Sequence, residues 1–132
     1  MSRFFKPIMI ALLSFLTLST AQASTEFSGE FVGTARLGPD KDQVWQGNLT
    51  LAIDAMGAVT GMLKQANGET IPVSGTVVGQ SITLVFDLGD GKYVIGTGGL
   101  NKDVRNNPTI MGGILSGPNE GDIGDWGYGI GG

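Results

Sequence analysis

The sequence lacks two residue types that carry much of protein chemistry, because none of its 132 residues is cysteine or histidine. Disulfides, zinc sites built from Cys and His, and haem held by His or Cys are therefore excluded. Carboxylate pairs could still serve a glycosidase, but nothing in the sequence indicates the substrate cleft that such a pair needs. We expect a protein that is not an enzyme, with no catalytic residues and no bound cofactor.

Long hydrophobic runs are also scarce. Arg3 and Lys6 precede an apolar run over residues 8–18, which ends in the small-x-small sequence of residues 21–23. The run is much shorter than the ~20 residues that span a membrane, and it is typical of a secretory signal peptide, with an uncleaved anchor as the alternative. We predict a signal peptide at residues 1–23 and a domain at residues 24–132, in a secreted, periplasmic or cell-surface protein.

Basic residues are few in the predicted domain. Removing Arg3 and Lys6 from the 8 Lys and Arg leaves 6 against 12 Asp and Glu, a net charge of −6. The remaining bases are scattered between Arg36 and Arg105, so we expect no nucleic-acid binding, which needs clustered bases. All 23 glycines lie in the domain, and this content is typical of tight turns and curved sheets.

The domain has little helical periodicity and much alternation of period two, which indicates strands. Short turn sequences at residues 54–57, 67–68, 79–80 and 90–91 predict antiparallel hairpins. The predicted strands cover residues 27–37, 45–53, 59–64, 71–78, 81–88, 92–100, 109–116 and 126–130. We therefore predict an all-β domain, a single small eight-stranded antiparallel up-and-down β-barrel, with a two-sheet sandwich as the alternative.

Four glycines favour the barrel, because Gly33, Gly47, Gly61 and Gly75 recur every fourteen residues on the apolar face of their strands. An inward glycine lets a strand bend and lets its neighbour approach. The opposite face of the strands is polar, unlike that of an outer-membrane barrel. We expect a monomer that does not span a membrane.

The predicted interior is bulky. Twelve apolar side chains share the inward parity: Phe27, Phe31, Trp45, Leu49, Leu51, Ile53, Leu63, Ile71, Val73, Ile82, Leu84 and Phe86. Such a set favours a filled core over an internal pocket. Trp45 and Trp126 could stack on a ligand, although core packing is the default for both.

Residues 113–126 form the most distinctive stretch of the chain. A strand ends at Gly117 and Pro118, and the Asp122 carboxylate is placed to accept backbone N–H groups of the turn. The stretch resembles the C-terminal signature of the β-barrel domain of the transferrin-binding protein B family, Gly-Pro-x-Ala-x-Glu followed by an aliphatic residue and Gly-Gly. Gly117, Pro118, Ile123 and Gly124 match, and Asp122 replaces the Glu. Glu120 stands at the Ala position and Asp125 at the second Gly.

The resemblance implies an eight-stranded barrel, export to the cell surface or medium, and binding of host proteins or haem-type ligands. The sequence contains no cysteine that could be lipidated, and we expect no second, handle-like domain. Without histidine, a haem site of the usual kind is not expected. The resemblance therefore favours a soluble secreted or periplasmic relative.

The predicted meander places alternate connections at the same end of the barrel. The connections at residues 38–43, 67–68, 89–91 and 117–125 carry Lys41 and six candidate partner-binding residues: Asp40, Asp42, Asp90, Glu120, Asp122 and Asp125. The sum is −5, whereas Asp54, Lys102, Asp103 and Arg105 at the other end sum to zero. A single-sign end steers an oppositely charged partner, so we expect this end to meet a basic protein surface or to hold Ca²⁺. The alternative is a solvated end that only aids solubility.

The sequence thus favours a secreted, non-enzymatic binding module whose barrel is a scaffold for loops that engage a protein partner. The alternatives are a lipocalin-like carrier with a pocket inside the barrel, and a structural envelope protein. Inward side chains distinguish the carrier from the module, because an eight-stranded barrel is either filled or holds one small ligand.

Overall fold

The computed structural model describes residues 25–102, 104 and 108–130, so the predicted signal peptide lies outside the described residues. Every regular element in this part of the chain is a strand. The strands are β1 (Thr25–Leu37), β2 (Val44–Ile53), β3 (Ala58–Gln65), β4 (Thr70–Val78), β5 (Ser81–Gly89), β6 (Lys92–Lys102), β7 (Pro108–Ser116) and β8 (Ile123–Ile130).

Each strand pairs antiparallel with the next, and β8 returns to pair with β1, so the sheet is a closed eight-stranded barrel. The β1–β8 ladder runs from Gly29 opposite Ile130 to Leu37 opposite Ile123. Closure leaves no strand of the sheet as a free edge. The predicted up-and-down barrel is confirmed, and the two-sheet sandwich is excluded.

Apolar side chains from all around the sheet pack together inside the barrel. Phe31, Leu49, Leu84 and Phe86 have no exposed surface, and Phe31 packs against Phe86 with their ring centroids 5.1 Å apart. All twelve side chains predicted to face inward belong to the buried cluster or pack directly against it. The strand parity read from the alternation is therefore confirmed.

Buried polar groups in the core have partners. The Tyr128 hydroxyl on β8 donates to the Leu49 carbonyl on β2 at 2.7 Å, and burial raises the pKa of Tyr128 to about 12. The Trp126 indole N–H donates to the Thr97 carbonyl at 3.3 Å. These bonds satisfy the polar ends of two aromatic side chains that are otherwise surrounded by apolar groups.

The inward glycines permit close approach of neighbouring strands. A Cβ added at Gly61 would fall on the Thr50 carbonyl oxygen, and one at Gly75 would fall on the Thr83 carbonyl oxygen. Only glycine avoids these contacts without moving a strand. The fourteen-residue spacing therefore marks one close approach in each of several successive strands.

Three of the connections predicted to gather at the acidic end of the meander have other bounds in the structure. Strand β8 begins at Ile123 rather than at residue 126, so the connection before it covers residues 117–122 and Asp125 is a strand residue. The connection between β3 and β4 covers residues 66–69, and the one between β5 and β6 covers residues 90–91. These shifts change which acidic residues lie on loops.

Candidate binding face at one end of the barrel

Four connections lie together at one end of the barrel because the meander alternates its turns between the two ends. They cover residues 38–43, 66–69, 90–91 and 117–122, and we call this end the acidic end. Loops on a rigid scaffold are where binding usually resides. The arrangement follows directly from the closed strand order.

Three of the six candidate residues present exposed carboxylates here. Asp42, Asp90 and Glu120 are all solvent-exposed loop residues. Asp42 and Asp90 have positive φ angles of 76° and 55°, a conformation that Asp and Asn tolerate better than most residues. The Asp42 Oδ2 atom lies 3.5 Å from the Lys41 Nζ atom, and both side chains of this ion pair are exposed.

Asp122 is buried rather than presented to solvent, with 4% of its surface exposed. One of its carboxylate oxygens accepts the Asp40 backbone N–H at 3.0 Å, and the other accepts the Asn119 backbone N–H at 3.2 Å. The second bond confirms the predicted role of Asp122 within its own turn. The first bond joins this turn to the connection between β1 and β2, so both carboxylate oxygens of Asp122 accept backbone N–H groups and link two of the four connections.

Asp40 shares this joint and is partly buried. One of its carboxylate oxygens accepts the Asn119 side-chain amide at 3.1 Å. The pKa of Asp40 is raised by its interaction with the Asp122 side chain and by desolvation. The pKa of Asp122 is lowered, first by the hydrogen bond from the Asp40 backbone. The joint therefore favours an ionised Asp122 beside an Asp40 that protonates more readily than usual.

Asp125 lies on the outer face of β8 and not in a loop. Its carboxylate accepts the Arg36 Nε–H at 2.9 Å, in an exposed ion pair. The predicted grouping of Asp125 with the loop carboxylates is therefore wrong, because the strand begins before this residue and the charge is paired.

Two acidic residues near this end were missed in the sequence. Glu69 ends the connection between β3 and β4, and Asp87 lies near the end of β5. The sequence predicts a turn at residues 67–68, whereas the hydrogen bond from Gln65 N–H to the Glu69 carbonyl, 2.8 Å, closes a longer turn. The Gln-Ala-Asn-Gly-Glu sequence is compatible with this longer turn, because it fits a hairpin loop of four residues as well as a loop of two residues.

Trp45 stands at the mouth of the barrel at the acidic end, partly buried against the core. It lines a cavity of about 30 Å³ together with Asp40, Val94, Leu115 and Asp122. Ligand pockets for small molecules are typically ~300–1,000 Å³, and this cavity has room for about one or two water molecules. Trp45 also lines an open groove of about 510 Å³.

Among the described residues, no three acidic side chains are grouped closely enough to hold a metal ion. Calcium usually takes six or more oxygen ligands. Calcium binding at the acidic end stays a prediction, which melting curves with calcium and with a chelator would test.

The opposite end of the barrel is less charged. Its Asp54 carboxylate accepts the backbone N–H groups of Met56 and Ala58 at 2.8 and 2.9 Å, which stabilises the turn after β2. Asp103 and Arg105, which were predicted to balance the charge of this end, lie outside the described residues.

The described part of the chain contains no helix of the length and hydrophobicity needed to cross a membrane.

No protein-family model matches the chain, and no curated protein matches it. The resemblance to transferrin-binding protein B therefore stays a prediction carried by the residues between Gly117 and Asp125. In the structure, the acidic position of that motif is occupied by Asp122, whose carboxylate is used within the fold.

Proposed function

We propose that the protein is an exported, non-enzymatic binding module, similar to the barrel of the transferrin-binding protein B family, whose acidic end engages a basic surface of a protein partner. One observation carries the proposal: the closed meander gathers four connections at one end, and their exposed residues include Asp42, Asp90 and Glu120. The domain has a net charge of −6, and a localised field of one sign steers an oppositely charged partner.

The filled interior supports this function over that of a small-ligand carrier. The inward side chains form one packed cluster, and the cavity beneath the acidic end measures about 30 Å³. The larger spaces, of about 450 and 510 Å³, are open grooves at the two ends of the barrel and not pockets inside it. A carrier needs a pocket of ~300 Å³ or more. No feature of the described residues favours a structural envelope role over a binding role.

Binding to polylysine tests the electrostatic part of the proposal. The informative variant combines Asp90→Asn with Glu120→Gln, because both carboxylates are exposed and neither forms an ion pair among the described residues. The matched control combines Glu26→Gln with Glu30→Gln, which removes the same charge from the outer face of β1. Two exposed charges at ~0.5 kcal/mol each predict about a fivefold loss of affinity.

The proposal requires that the acidic-end variant loses affinity while the control changes much less. Equal losses in the two variants would show that only net charge matters, and would contradict a dedicated binding face. Saturable binding of haem or of a fatty acid by the unmodified protein would instead favour the carrier.

A further inference from the structure

An open groove separates β4 and β5 at the acidic end. Their paired register runs from Val78 opposite Ser81 to Val73 opposite Phe86 and stops there. On the other side of β4, pairing with β3 continues to Thr70. Strand β4 therefore stays attached to β3 while it separates from β5.

Pro72 is the first residue of β4 beyond the paired register, and β5 has an irregularity at the same level, between Asp87 and Gly89. The bond from Gln65 N–H to the Glu69 carbonyl shows that the odd-numbered residues of β3 turn their backbone hydrogen-bonding groups toward β4. Hydrogen-bonded pairs alternate along an antiparallel ladder, so odd-numbered residues of β4 bond to β3 and even-numbered ones bond to β5. A backbone N–H at position 72 would donate to β5, but proline has no N–H, so this hydrogen bond of the ladder cannot form.

The groove has both apolar and acidic lining residues. Its apolar lining residues are Trp45, Ile71 and Leu88, which belong to the core cluster or pack against it, and its acidic lining residues are Glu69 and Asp87. Glu69 and Asp87 are exposed. We call this feature the β4–β5 groove. The groove is open to solvent and has a volume of about 510 Å³, within the range of ~300–1,000 Å³ typical of ligand sites.

The charge of the groove is unbalanced. The ion pairs in the described part of the chain join Arg36 to Asp125 and Lys41 to Asp42, so neither Glu69 nor Asp87 is neutralised by one. Two bases lie on the hairpins that border the groove, Lys64 on β3 and Lys92 at the start of β6, and neither lines the groove. The groove is therefore complementary to a positive charge.

We propose that the β4–β5 groove binds an arginine side chain of the protein partner. This inference rests on the proposed function, because it names the group by which a basic partner is held. A guanidinium stacks on an indole face and donates to carboxylates in a planar fork. Trp45 supplies the indole, and Glu69 and Asp87 supply the carboxylates.

The test uses a short peptide of three arginines and a matched peptide of three citrullines, which have nearly the same shape without the charge. The protein contains two tryptophans, so its indole N–H resonances distinguish Trp45 from Trp126, which lies in the core. The arginine peptide is expected to shift the Trp45 resonance saturably and to leave that of Trp126 in place. The citrulline peptide is expected to shift neither.

Calorimetry on variants locates the site. Glu69→Gln combined with Asp87→Asn is expected to weaken arginine-peptide binding by about tenfold, the order expected for losing charged partners of a stacked cation. The Asp87→Asn change keeps the oxygen that accepts the Gly89 backbone N–H at 2.9 Å, so the turn stays intact. The control is again Glu26→Gln with Glu30→Gln.

The outcomes separate the two proposals. If the Trp45 resonance does not shift and the groove variant binds the arginine peptide as well as the control does, the groove inference is overturned. In that case, a loss of polylysine affinity confined to the Asp90 and Glu120 variant would still support the broader function. If the arginine peptide shifts Trp45 while the Asp90 and Glu120 variant binds polylysine as well as the parent does, the groove stands and the broader acidic-end proposal fails. Equal binding of the citrulline peptide would also contradict the groove inference.

Discussion

Leu84 shows how one side chain reports on the whole strand assignment. It has no exposed surface and belongs to the central cluster. Replacing it with alanine removes buried methyl groups and leaves a cavity, so we expect Leu84→Ala to reduce the free energy of unfolding by ~2–5 kcal/mol in urea denaturation. The control is Val78→Ala, at a position that is 75% exposed, where the change should stay within ~0.5 kcal/mol. A loss of similar size in both variants would contradict the inward parity of β5.

Asp122 is the residue whose charge matters most to the acidic end. Asparagine in its place can accept from only one of the two backbone N–H groups that the carboxylate now satisfies, and a buried unsatisfied donor is costly. We expect Asp122→Asn to lower the melting temperature at neutral pH. Asp42→Asn is the control, because it makes the same chemical change at an exposed position.

The pH dependence gives this prediction a sign. The folded-state pKa of Asp122 lies below its ordinary value of 3.8, so its stabilising contribution is present above that value and is lost as the pH falls through the folded-state pKa. The raised pKa of Asp40 acts with the opposite sign and offsets part of this loss. The difference in melting temperature between the parent and Asp122→Asn should therefore narrow in acid, and a difference that widens would contradict the assignment.

At the scale of elements, the separation of β4 from β5 is attributed to Pro72, and Pro72→Thr tests it. The new N–H can donate across to Asp87 and extend the ladder by one pair. One net hydrogen bond contributes ~1 kcal/mol, but losing proline costs ~0.4–1 kcal/mol through the unfolded chain, so stability should change little. The informative measurement is hydrogen exchange at position 72, whose new amide should be protected.

The same variant should bind the arginine peptide more weakly, because an extended ladder narrows the β4–β5 groove. The Ser74 amide, which already faces a paired position opposite Val85, is the internal reference for protection. An amide at position 72 that exchanges as fast as one in an exposed turn would show that something other than proline keeps the strands apart.

Elements also show what the sequence could and could not predict. The alternation of Trp45, Leu49 and Leu51 gave the correct inward face of β2, because the side-chain period of a strand is a local property. The start of β8 was missed, because Gly124 and Asp125 are typical turn residues. In the fold a Cβ at position 124 would fall on the Thr34 carbonyl oxygen, so this glycine is required by a strand about ninety positions away in the sequence.

The candidate site, too, could be predicted from the sequence only in part. The gathering of acidic loops at one end could be predicted, since it follows from strand order alone. The burial of Asp122 could be predicted only in part, because one of its donors lies in its own turn and the other, Asp40, is 82 positions away. The groove beside Trp45 needed the exact register of β3, β4 and β5, which a pattern of alternation does not determine.

For the whole molecule, the closed barrel places most of an excess negative charge at one end, and this arrangement has a thermodynamic cost. Exposed carboxylates of one sign repel each other in the folded state more than in the extended chain. The Debye length falls from ~30 Å at 0.01 M to ~8 Å at 0.15 M salt, so sodium chloride should raise the melting temperature over this range. The Asp90→Asn, Glu120→Gln variant should have a higher melting temperature than the parent at 0.01 M salt, and its melting temperature should depend less on salt. The melting temperature of the Glu26→Gln, Glu30→Gln control should follow that of the parent more closely. If the two variants have the same salt dependence, the repulsion is spread over the whole surface, and the acidic end is not the place where the charge is concentrated.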